Sequence, residues 1–217
     1  MPRFLDRDGR FGVSAGYKVM SSSLAAHDHL VEVDEATFAR ALRQAPRPHL
    51  LLTRHPKPRL VSAFRDKFRA QPMLFEEQAW QGWQRIHQVH YRWLGLKDDD
   101  SDDRKIEAFL DLSWERFVEL LPRTKWFDGH LRPQYLQERI RVKRLLPIGS
   151  AKVTAVRDIA HLDPQEMQRD WGIDVAARRN VVGSREAASD FPEADDPLSD
   201  DRIRKAYATD YRRYGYD

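Results

Sequence analysis

A short apolar run bounded by prolines, HLLLTRHP at residues 49–56, constrains the fold of this chain more than any other segment. In an α/β protein, a run of this kind is typical of a strand that is buried on both faces of a parallel sheet. The segment that follows, RLVSAFRDKFRA (59–70), predicts a helix. A buried strand followed at once by a helix indicates a domain in which strands and helices alternate.

Other segments continue this alternation. Two further strands are predicted, at FGVSAGY (11–17) and KVTAVRDI (152–159). Helices are predicted at the start of 23–33 and over 34–45, 76–95, 113–121, 163–172 and 198–216. Ser113 and Ser199 are the expected N-caps of two of these helices. We therefore expect one α/β domain over residues 1–217, with helices around a central, mostly parallel sheet.

The composition is that of a polar globule, with 33% charged and 41% hydrophobic residues. No run approaches the roughly 18 apolar residues of a membrane helix. The segment MPRFLDRDGRFG lacks the apolar core of a secretory signal, and the chain has no cysteine. We expect a cytoplasmic protein without a transmembrane segment, and the sequence indicates no particular oligomeric state.

The charge balance bears on the kind of ligand. The net charge is only +3, from 37 Lys+Arg against 34 Asp+Glu, and the isoelectric point is about 9.1. Acidic residues are concentrated at 98–103, expected to be a solvated loop, and at 190–201, so the remainder is basic. Because basic residues alternate with acidic ones, a nucleic-acid-binding stripe is not indicated. A local basic pocket for an anionic ligand fits better.

The segment YKVMSSSL (17–24) joins a predicted strand to a predicted helix. One interpretation is structural, because serine is a common N-cap. The other is functional: N–H groups at the start of a helix, serine hydroxyls and the charge of Lys18 can together bind a phosphate or a sulfate. The segment is not a Walker A motif, in which glycines precede the lysine. These residues alone leave both interpretations open.

A second candidate anion site follows the buried strand. Arg54 lies at its carboxyl end, where open α/β sheets bind ligands, and Ser62 lies in the first turns of the next helix. The guanidinium offers a fork of donors and the serine one more, while Arg59 adds charge nearby. The alternative is that these residues form the solvated basic start of a helix.

These segments are similar to motifs of the carbohydrate sulfotransferase family that includes the 2-O-, 4-O- and glucuronyl 3-O-sulfotransferases. YKVMSSSL resembles the family's 5′-phosphosulfate loop, and RHPKPRLVSAFRDKF (54–68) resembles its 3′-phosphate motif, in which R-x-P-x-x-R-L-V-S-A-[FY] recurs. GHLRPQYLQ (129–137), RRNVVGS (178–184) and YATDYRRYGY (207–216) resemble three further elements of the family. Their order and rough spacing agree over nearly the whole chain.

The resemblance implies a P-loop-like three-layer αβα fold and the sulfuryl donor 3′-phosphoadenosine 5′-phosphosulfate (PAPS), with 3′-phosphoadenosine 5′-phosphate (PAP) as product. It implies that Lys18 stabilises the leaving group. No metal is expected to be needed, because no cluster of Asp, Glu and His accompanies the loop. The implied donor-binding residues are Lys18, Val19, Met20, Ser21, Ser22, Ser23, Leu24, Arg54, Ser62, Asn180 and Ser184.

The acceptor hydroxyl needs a general base, for which histidine is suited. HDH (27–29) resembles a His-x-His of the family's 2-O-transferases, which makes His27 and His29 candidates, although the element before it is much shorter here. A zinc-binding pair and an ordinary surface helix are the alternatives. His130 is the next candidate, with ordering of its own loop as the alternative role.

Other histidines and aromatics are expected to be structural. His87 and His90 are spaced like metal ligands, but the tryptophans around them favour a packed core or a wall facing the acceptor. Tyr207, Tyr211 and Tyr214 have the spacing of a helix packing stripe.

The sequence therefore predicts a PAPS-dependent sulfotransferase that acts on a hydroxyl of a carbohydrate or glycan-like acceptor. Two alternatives stay open: a non-catalytic or degenerate module that binds an anionic nucleotide, and a nucleotide phosphotransferase of related fold. The phosphotransferase would need a Walker A loop and a magnesium-binding carboxylate, neither of which is visible. The acceptor itself is not indicated, because substrate walls are built from variable loops.

Overall fold

The computed structural model describes residues 2–45, 47–77, 80–138, 153–175, 194 and 196–216. The chain divides into two compact units. The sheet unit comprises Met1–His55 and Gln134–Ala187, and the helical unit comprises Pro56–Pro133 and Ala188–Asp217. Each unit is thus built from two stretches of chain. The single domain expected over 1–217 stays a prediction.

Among the described residues, one five-stranded sheet organises the sheet unit. Its strands are β1 (Arg3–Asp6), β2 (Gly12–Ala15), β3 (Leu30–Glu32), β4 (His49–Thr53) and β5 (Ala155–Asp158). Their order is β3-β1-β2-β4-β5, with β2, β4 and β5 parallel and β1 antiparallel to both of its neighbours. All five residues of β4 are buried, as the apolar run at 49–53 predicts. The predicted α/β class with a mostly parallel sheet is confirmed.

The helices are α1 (Ser21–Ala25), α2 (Glu35–Gln44), α3 (Pro56–Phe64), α4 (Gln71–Met73), α5 (Arg85–Leu94), α6 (Asp102–Leu110), α7 (Trp114–Thr124), α8 (Pro164–Trp171), α9 (Pro197–Ala206) and α10 (Ala208–Tyr214). A π-helical turn covers Arg65–Ala70, and 3₁₀ turns cover Gln134–Glu138 and Ile159–His161. Three predicted helices are confirmed as α2, α7 and α8, and Ser113 caps α7 as expected. Within the described ranges, no helix has the length and apolar character needed to cross a lipid bilayer.

Helices cover both faces of the sheet. On one face, Phe38 of α2 packs so closely that a Cβ on Gly12 would lie 2.9 Å from its ring. On the other face, Val13 and Leu50 share a buried cluster with Leu24 of α1 and Trp171 of α8. The sheet unit therefore has the three-layer αβα arrangement that the resemblance implied.

The sequence prediction missed the amino-terminal strand β1. Its residues RFLD carry charges at both ends, so no apolar run marks it. Arg3 is nevertheless almost fully buried, and it donates hydrogen bonds to the Ser14 hydroxyl and the Gln137 carbonyl. Asp6 accepts a hydrogen bond from the Arg10 guanidinium at 2.8 Å. Paired polar groups allow these side chains to be buried within a sheet.

The helical unit packs around a cluster of aromatic rings. Phe64 and Phe68 meet Trp114 and Phe117 of α7, with ring centroids 5.0–5.7 Å apart. Phe109 of α6 completes this cluster at 5.4 Å from Phe68. These large side chains supply much of the apolar burial that stabilises the unit.

Three helix predictions in the helical unit are wrong in extent. The helix predicted over 76–95 begins only at Arg85, because Gly82 has a φ of 74° that interrupts it. The acidic stretch 98–103 is not wholly a loop, since Ser101 caps α6 and two aspartates occupy its first turn, where they oppose the helix dipole. The last predicted helix is split at Tyr207, and Asp196 rather than Ser199 is its N-cap.

Candidate donor site

The loop after β2 has an unusual backbone. Lys18 and Met20 have φ values of 63° and 55°, and within the described part of the chain they are the non-glycine residues in the left-handed region. This conformation is disfavoured because Cβ crowds the following carbonyl oxygen. Such strain persists where surrounding contacts over-determine it, and it clusters at ligand-binding sites.

Contacts on both sides hold this loop in place. The side chain of Val19 is fully buried between the two left-handed residues, and its N–H donates to the Gly16 carbonyl at 3.1 Å. The N–H of Leu24 donates to the Met20 carbonyl at 2.9 Å, where α1 begins. Left-handed residues that alternate with right-handed ones turn neighbouring N–H groups toward a common side, as in anion-binding nests. The backbone therefore suits the predicted anion cradle.

The three serines form the first turn of α1. Met20, not a serine, is the N-cap, and no side chain makes a capping hydrogen bond to this helix. Ser23 is buried, Ser21 half-buried and Ser22 exposed. The interpretation of these serines as an N-cap is therefore wrong, and their role in anion binding stays a prediction.

Arg54 lies just beyond β4, the strand that pairs in parallel with β2. Its Nη1 donates to the carbonyl oxygen of Lys18 at 3.1 Å. The sequence suggested separate anion sites around Lys18 and Arg54, whereas the structure brings the two residues together at the carboxyl ends of neighbouring parallel strands. This is the position at which open α/β sheets bind ligands.

Two buried glutamines, which the sequence prediction missed, support this arrangement. The Gln134 side chain accepts from Arg54 N–H at 2.9 Å and donates to the Arg54 carbonyl at 2.6 Å. A Cβ on Gly16 would lie 2.7 Å from Nε2 of Gln137, so this glycine permits a close approach. Both glutamines follow the Pro-Gln pair of GHLRPQYLQ, which was the available signal.

The structure places His27 and His29 at the other end of β2. β3 begins at Leu30, which pairs with Asp6 at the end of the antiparallel strand β1. The turn that carries both histidines is therefore near the amino end of β2, whereas the Lys18 loop follows its carboxyl end. A four-residue strand, about 13 Å long, separates these ends.

The surroundings of this histidine pair are those of packed side chains. The two rings are 5.5 Å apart, and a Cβ on Gly172 would lie 3.5 Å from Nε2 of His29. Burial, followed by the charge of His29, lowers the pKa of His27. The prediction that one of these residues is the general base gains no support from this placement.

Several predicted site residues belong to the helical unit or lie outside the described residues. Ser62 is half-buried in α3, and its contact with a phosphate stays a prediction. Arg59 is fully buried and donates to the His130 carbonyl at 2.8 Å, so it orders the chain and does not present charge at the surface. Asn180 and Ser184 lie outside the described residues.

Comparison with protein-family models matches residues 19–217 to the sulfotransferase family. The chain belongs to this family. Comparisons with curated proteins and with solved structures give no significant match. Membership supports sulfuryl transfer to a hydroxyl-bearing acceptor as the reaction. Lys18 precedes the matched range by one residue, so its assignment depends on the geometry of the loop.

In this sulfotransferase, His87 and His90 are core residues. Both are fully buried, and His87 lies edge-on to Phe68 at 5.6 Å. Tyr207 and Tyr211 are buried in the same cluster, as their helical spacing predicts. Among the described residues, no three His, Asp or Glu side chains are arranged to hold a metal ion. Whether the reaction needs a metal stays a prediction.

Proposed function

We propose that this sulfotransferase uses PAPS as its donor and transfers the sulfuryl group to a hydroxyl of a carbohydrate or glycan-like acceptor. The donor's 5′-phosphosulfate is bound by residues 18–24, and Arg54 belongs to the same site. The products are PAP and the sulfated acceptor.

The contact between Arg54 and the Lys18 carbonyl is the observation that carries this proposal. It joins the residue of the arginine motif to the strained loop, at the ends of two parallel strands. A guanidinium that holds a loop carbonyl turns the remaining backbone toward its N–H side, which favours an anion. A purely structural loop would not require two left-handed residues that bear Cβ atoms.

The residues of the loop suit the chemistry of the transfer. As the bond between sulfur and the bridging oxygen breaks, negative charge develops on the 5′-phosphate, which the Lys18 ammonium stabilises. Hydroxyls of Ser21 to Ser23 and backbone N–H groups supply further donors, and because they are preorganised they need little rearrangement as the charge forms.

The family resemblance assigns the opposite end of the donor. By that resemblance, Arg54 and Ser62 bind the 3′-phosphate, with Asn180 and Ser184 as further donor-binding residues. Arginine suits a phosphate because its planar fork donates two parallel hydrogen bonds. A 3′-phosphate requirement separates this donor from ATP and AMP.

A thermal-shift titration with PAP tests the donor assignment. At about a hundred times its dissociation constant, PAP is expected to stabilise the protein by about 2.7 kcal/mol. For a chain of this size that is a rise in Tm of about 5–10 °C. AMP and ATP are expected to give much smaller shifts, because neither carries a 3′-phosphate.

Two variants sharpen this titration. Arg54→Ala is expected to abolish the shift, whereas Arg169→Ala is expected to leave it unchanged, since Arg169 is exposed and paired with Asp170. An equal shift with ATP would favour a nucleotide phosphotransferase. No shift with any nucleotide would overturn the donor assignment.

A further inference from the structure

We propose that residues 126–131 of the helical unit form the acceptor subsite, in which His130 is the general base, Asp128 positions it, and Trp126 and Phe127 bind a pyranose ring. This inference rests on the proposed function, because it names the acceptor side of the same reaction. It replaces His27 and His29 in that role.

Asp128 and His130 form a held pair. Oδ1 of Asp128 lies 2.9 Å from Nδ1 of His130 and accepts the backbone N–H of the same histidine at 2.7 Å. The side chains are 8% and 14% exposed, so the pair is shielded yet reaches the surface at the imidazole. Burial works to raise the pKa of Asp128, but the hydrogen bonds and charge of His130 outweigh it and the pKa is lowered. The carboxylate is therefore charged at neutral pH.

This geometry fixes the chemistry available to the imidazole. A carboxylate can only accept at Nδ1, so the ring nitrogen that faces Asp128 carries the proton and Nε2 is the basic one. The same carboxylate stabilises the imidazolium after proton uptake, as in other carboxylate–histidine pairs. Orientation of the base by a third group is what distinguishes a catalytic histidine from a packed one.

A buried polar clamp keeps the segment in place. Arg59 donates from Nη1 to the His130 carbonyl at 2.8 Å, and its guanidinium lies 5.5 Å from the centre of the Tyr207 ring. The Tyr207 hydroxyl donates to the Leu131 carbonyl at 2.5 Å. Arg59 and Tyr207 are almost completely buried, so two costly polar groups are used to fix two consecutive carbonyls. Preorganisation of this kind is typical of functional segments.

Charged and titratable groups from neighbouring elements also face the pair. His87 and His90 of α5 both interact electrostatically with Asp128, and both stay neutral at neutral pH because burial lowers their pKa to about 4. Arg59 of α3 is the charged neighbour. The carboxylate of Asp128 is thus held by one histidine that reaches the surface and is backed by two that do not.

The residues just before this pair are exposed aromatics. Trp126 and Phe127 are 44% and 57% exposed, unlike most large aromatic side chains of the described residues. Lys125 Nζ lies 4.8 Å from the Trp126 ring centre, and Arg132 donates to the Trp126 carbonyl at 3.2 Å. Exposed aromatic rings beside polar groups bind ligands that are apolar on one face and hydroxylated at the edge. A pyranose ring has this character, and it would place a hydroxyl near His130.

The reaction step balances as follows. The hydroxyl proton of the acceptor passes to Nε2 of His130, and the acceptor oxygen forms its bond to sulfur. The bond from sulfur to the bridging phosphate oxygen breaks, and its electron pair stays on the phosphate of PAP. The imidazolium, paired with Asp128, then loses its proton to solvent.

Transfer from radiolabelled PAPS tests the assignment of the base. The acceptors are a mixture of neutral, N-acetylated and uronate-containing oligosaccharides, and label released to water as sulfate is counted as well. His130→Ala is expected to lower the rate of transfer by about 10²–10⁴-fold. The Tm shift with PAP is expected to persist, which separates a failure of this inference from a failure of the donor assignment.

Matched controls decide whether the pair acts as a unit. His161 is 84% exposed and lies 3.9 Å from Asp158, so His161→Ala removes a histidine with a carboxylate neighbour and is expected to leave the rate unchanged. Asp128→Asn is expected to lower the rate at least about 10-fold and move the acidic limb of the rate–pH profile to lower pH, since the imidazolium loses its carboxylate. Asp128→Glu should restore part of the rate. An unchanged rate in a folded His130→Ala protein overturns the role of base.

The aromatic pair is tested separately. Trp126→Ala is expected to raise KM for the sulfated sugar about 5–30-fold with a small change in kcat, the usual effect of losing a binding aromatic. Met73→Ala, which removes another exposed apolar side chain (73% exposed), is expected to change neither value. PAP binding with no transfer of label to any sugar would overturn the pyranose subsite and leave the donor site standing.

Discussion

Lys18→Ala is expected to lower the rate of PAP release from PAPS by about 10²–10³-fold, the usual effect of removing one group that stabilises developing charge. The ammonium is assigned to the oxygen that receives the electron pair, so its loss raises the barrier more than it weakens donor binding. The left-handed backbone at residue 18 is as strained for alanine as for lysine, so the substitution changes the charge and leaves the loop conformation comparable.

Steady-state PAP release at saturating PAPS measures this effect. Lys18→Arg keeps the charge and is expected to retain more activity than Lys18→Ala, although the planar guanidinium differs in shape from an ammonium. Lys97→Ala, which changes an exposed lysine of the helical unit, is the control and should release PAP at the normal rate. A Lys18→Ala protein that binds PAP and keeps its rate would remove Lys18 from the reaction.

The arginine motif shows what the sequence could predict. The run HLLLT is apolar throughout, so it indicates a strand buried on both faces, and β4 is that strand. Because strand and helix are joined by a few residues, the position of Arg54 at the carboxyl end follows from the sequence alone. The family model confirms the same region, whose match extends over residues 19–217.

The histidine pair shows where local reasoning fails. HDH lies only a few residues after the serines, and nearness in sequence suggested nearness in space. α1 is just five residues long, and the chain then turns into β3 at the opposite end of the sheet. β3 itself was missed because two of its three residues are exposed, so no apolar pattern marks it. Pairing with β1, a strand hidden by its charges, decides where the histidines lie.

Contacts between distant stretches of chain were also out of reach. Gln134 orders Arg54 although the two residues are 80 positions apart, and Arg59 orders the carbonyl of His130 across 71 positions. A glutamine or a buried arginine carries no signal of its partner in one sequence. The Asp128–His130 pair is local, but its burial depends on helices α3 and α5, so the sequence gave it no advantage over His27.

Stability of the helical unit is expected to fall on acidification because of His87 and His90. His87 accepts the Gln84 N–H at Nδ1 and donates from Nε2 to the Lys67 carbonyl, so the neutral ring is fully used. His90 donates from Nδ1 to the Ile86 carbonyl, and Nε2 finds no partner among the described residues. A second proton would break the first arrangement and bury an unpaired charge in the second.

The sign and size of this effect follow from the pKa values. Burial lowers the pKa of each histidine from 6.5 to about 4, so between these values the unfolded chain binds protons that the folded protein does not. The free energy of unfolding therefore decreases as pH falls from 6.5 toward 4, by about 2 kcal/mol for each histidine between pH 7.5 and 5. Urea unfolding followed by circular dichroism at these two pH values measures it. His90→Leu should lose about half of the pH dependence, while His161→Gln, at an exposed site, should keep all of it. Parallel curves for wild type and His90→Leu would mean that His90 is already protonated in the folded protein, and that Nε2 has a partner outside the described residues.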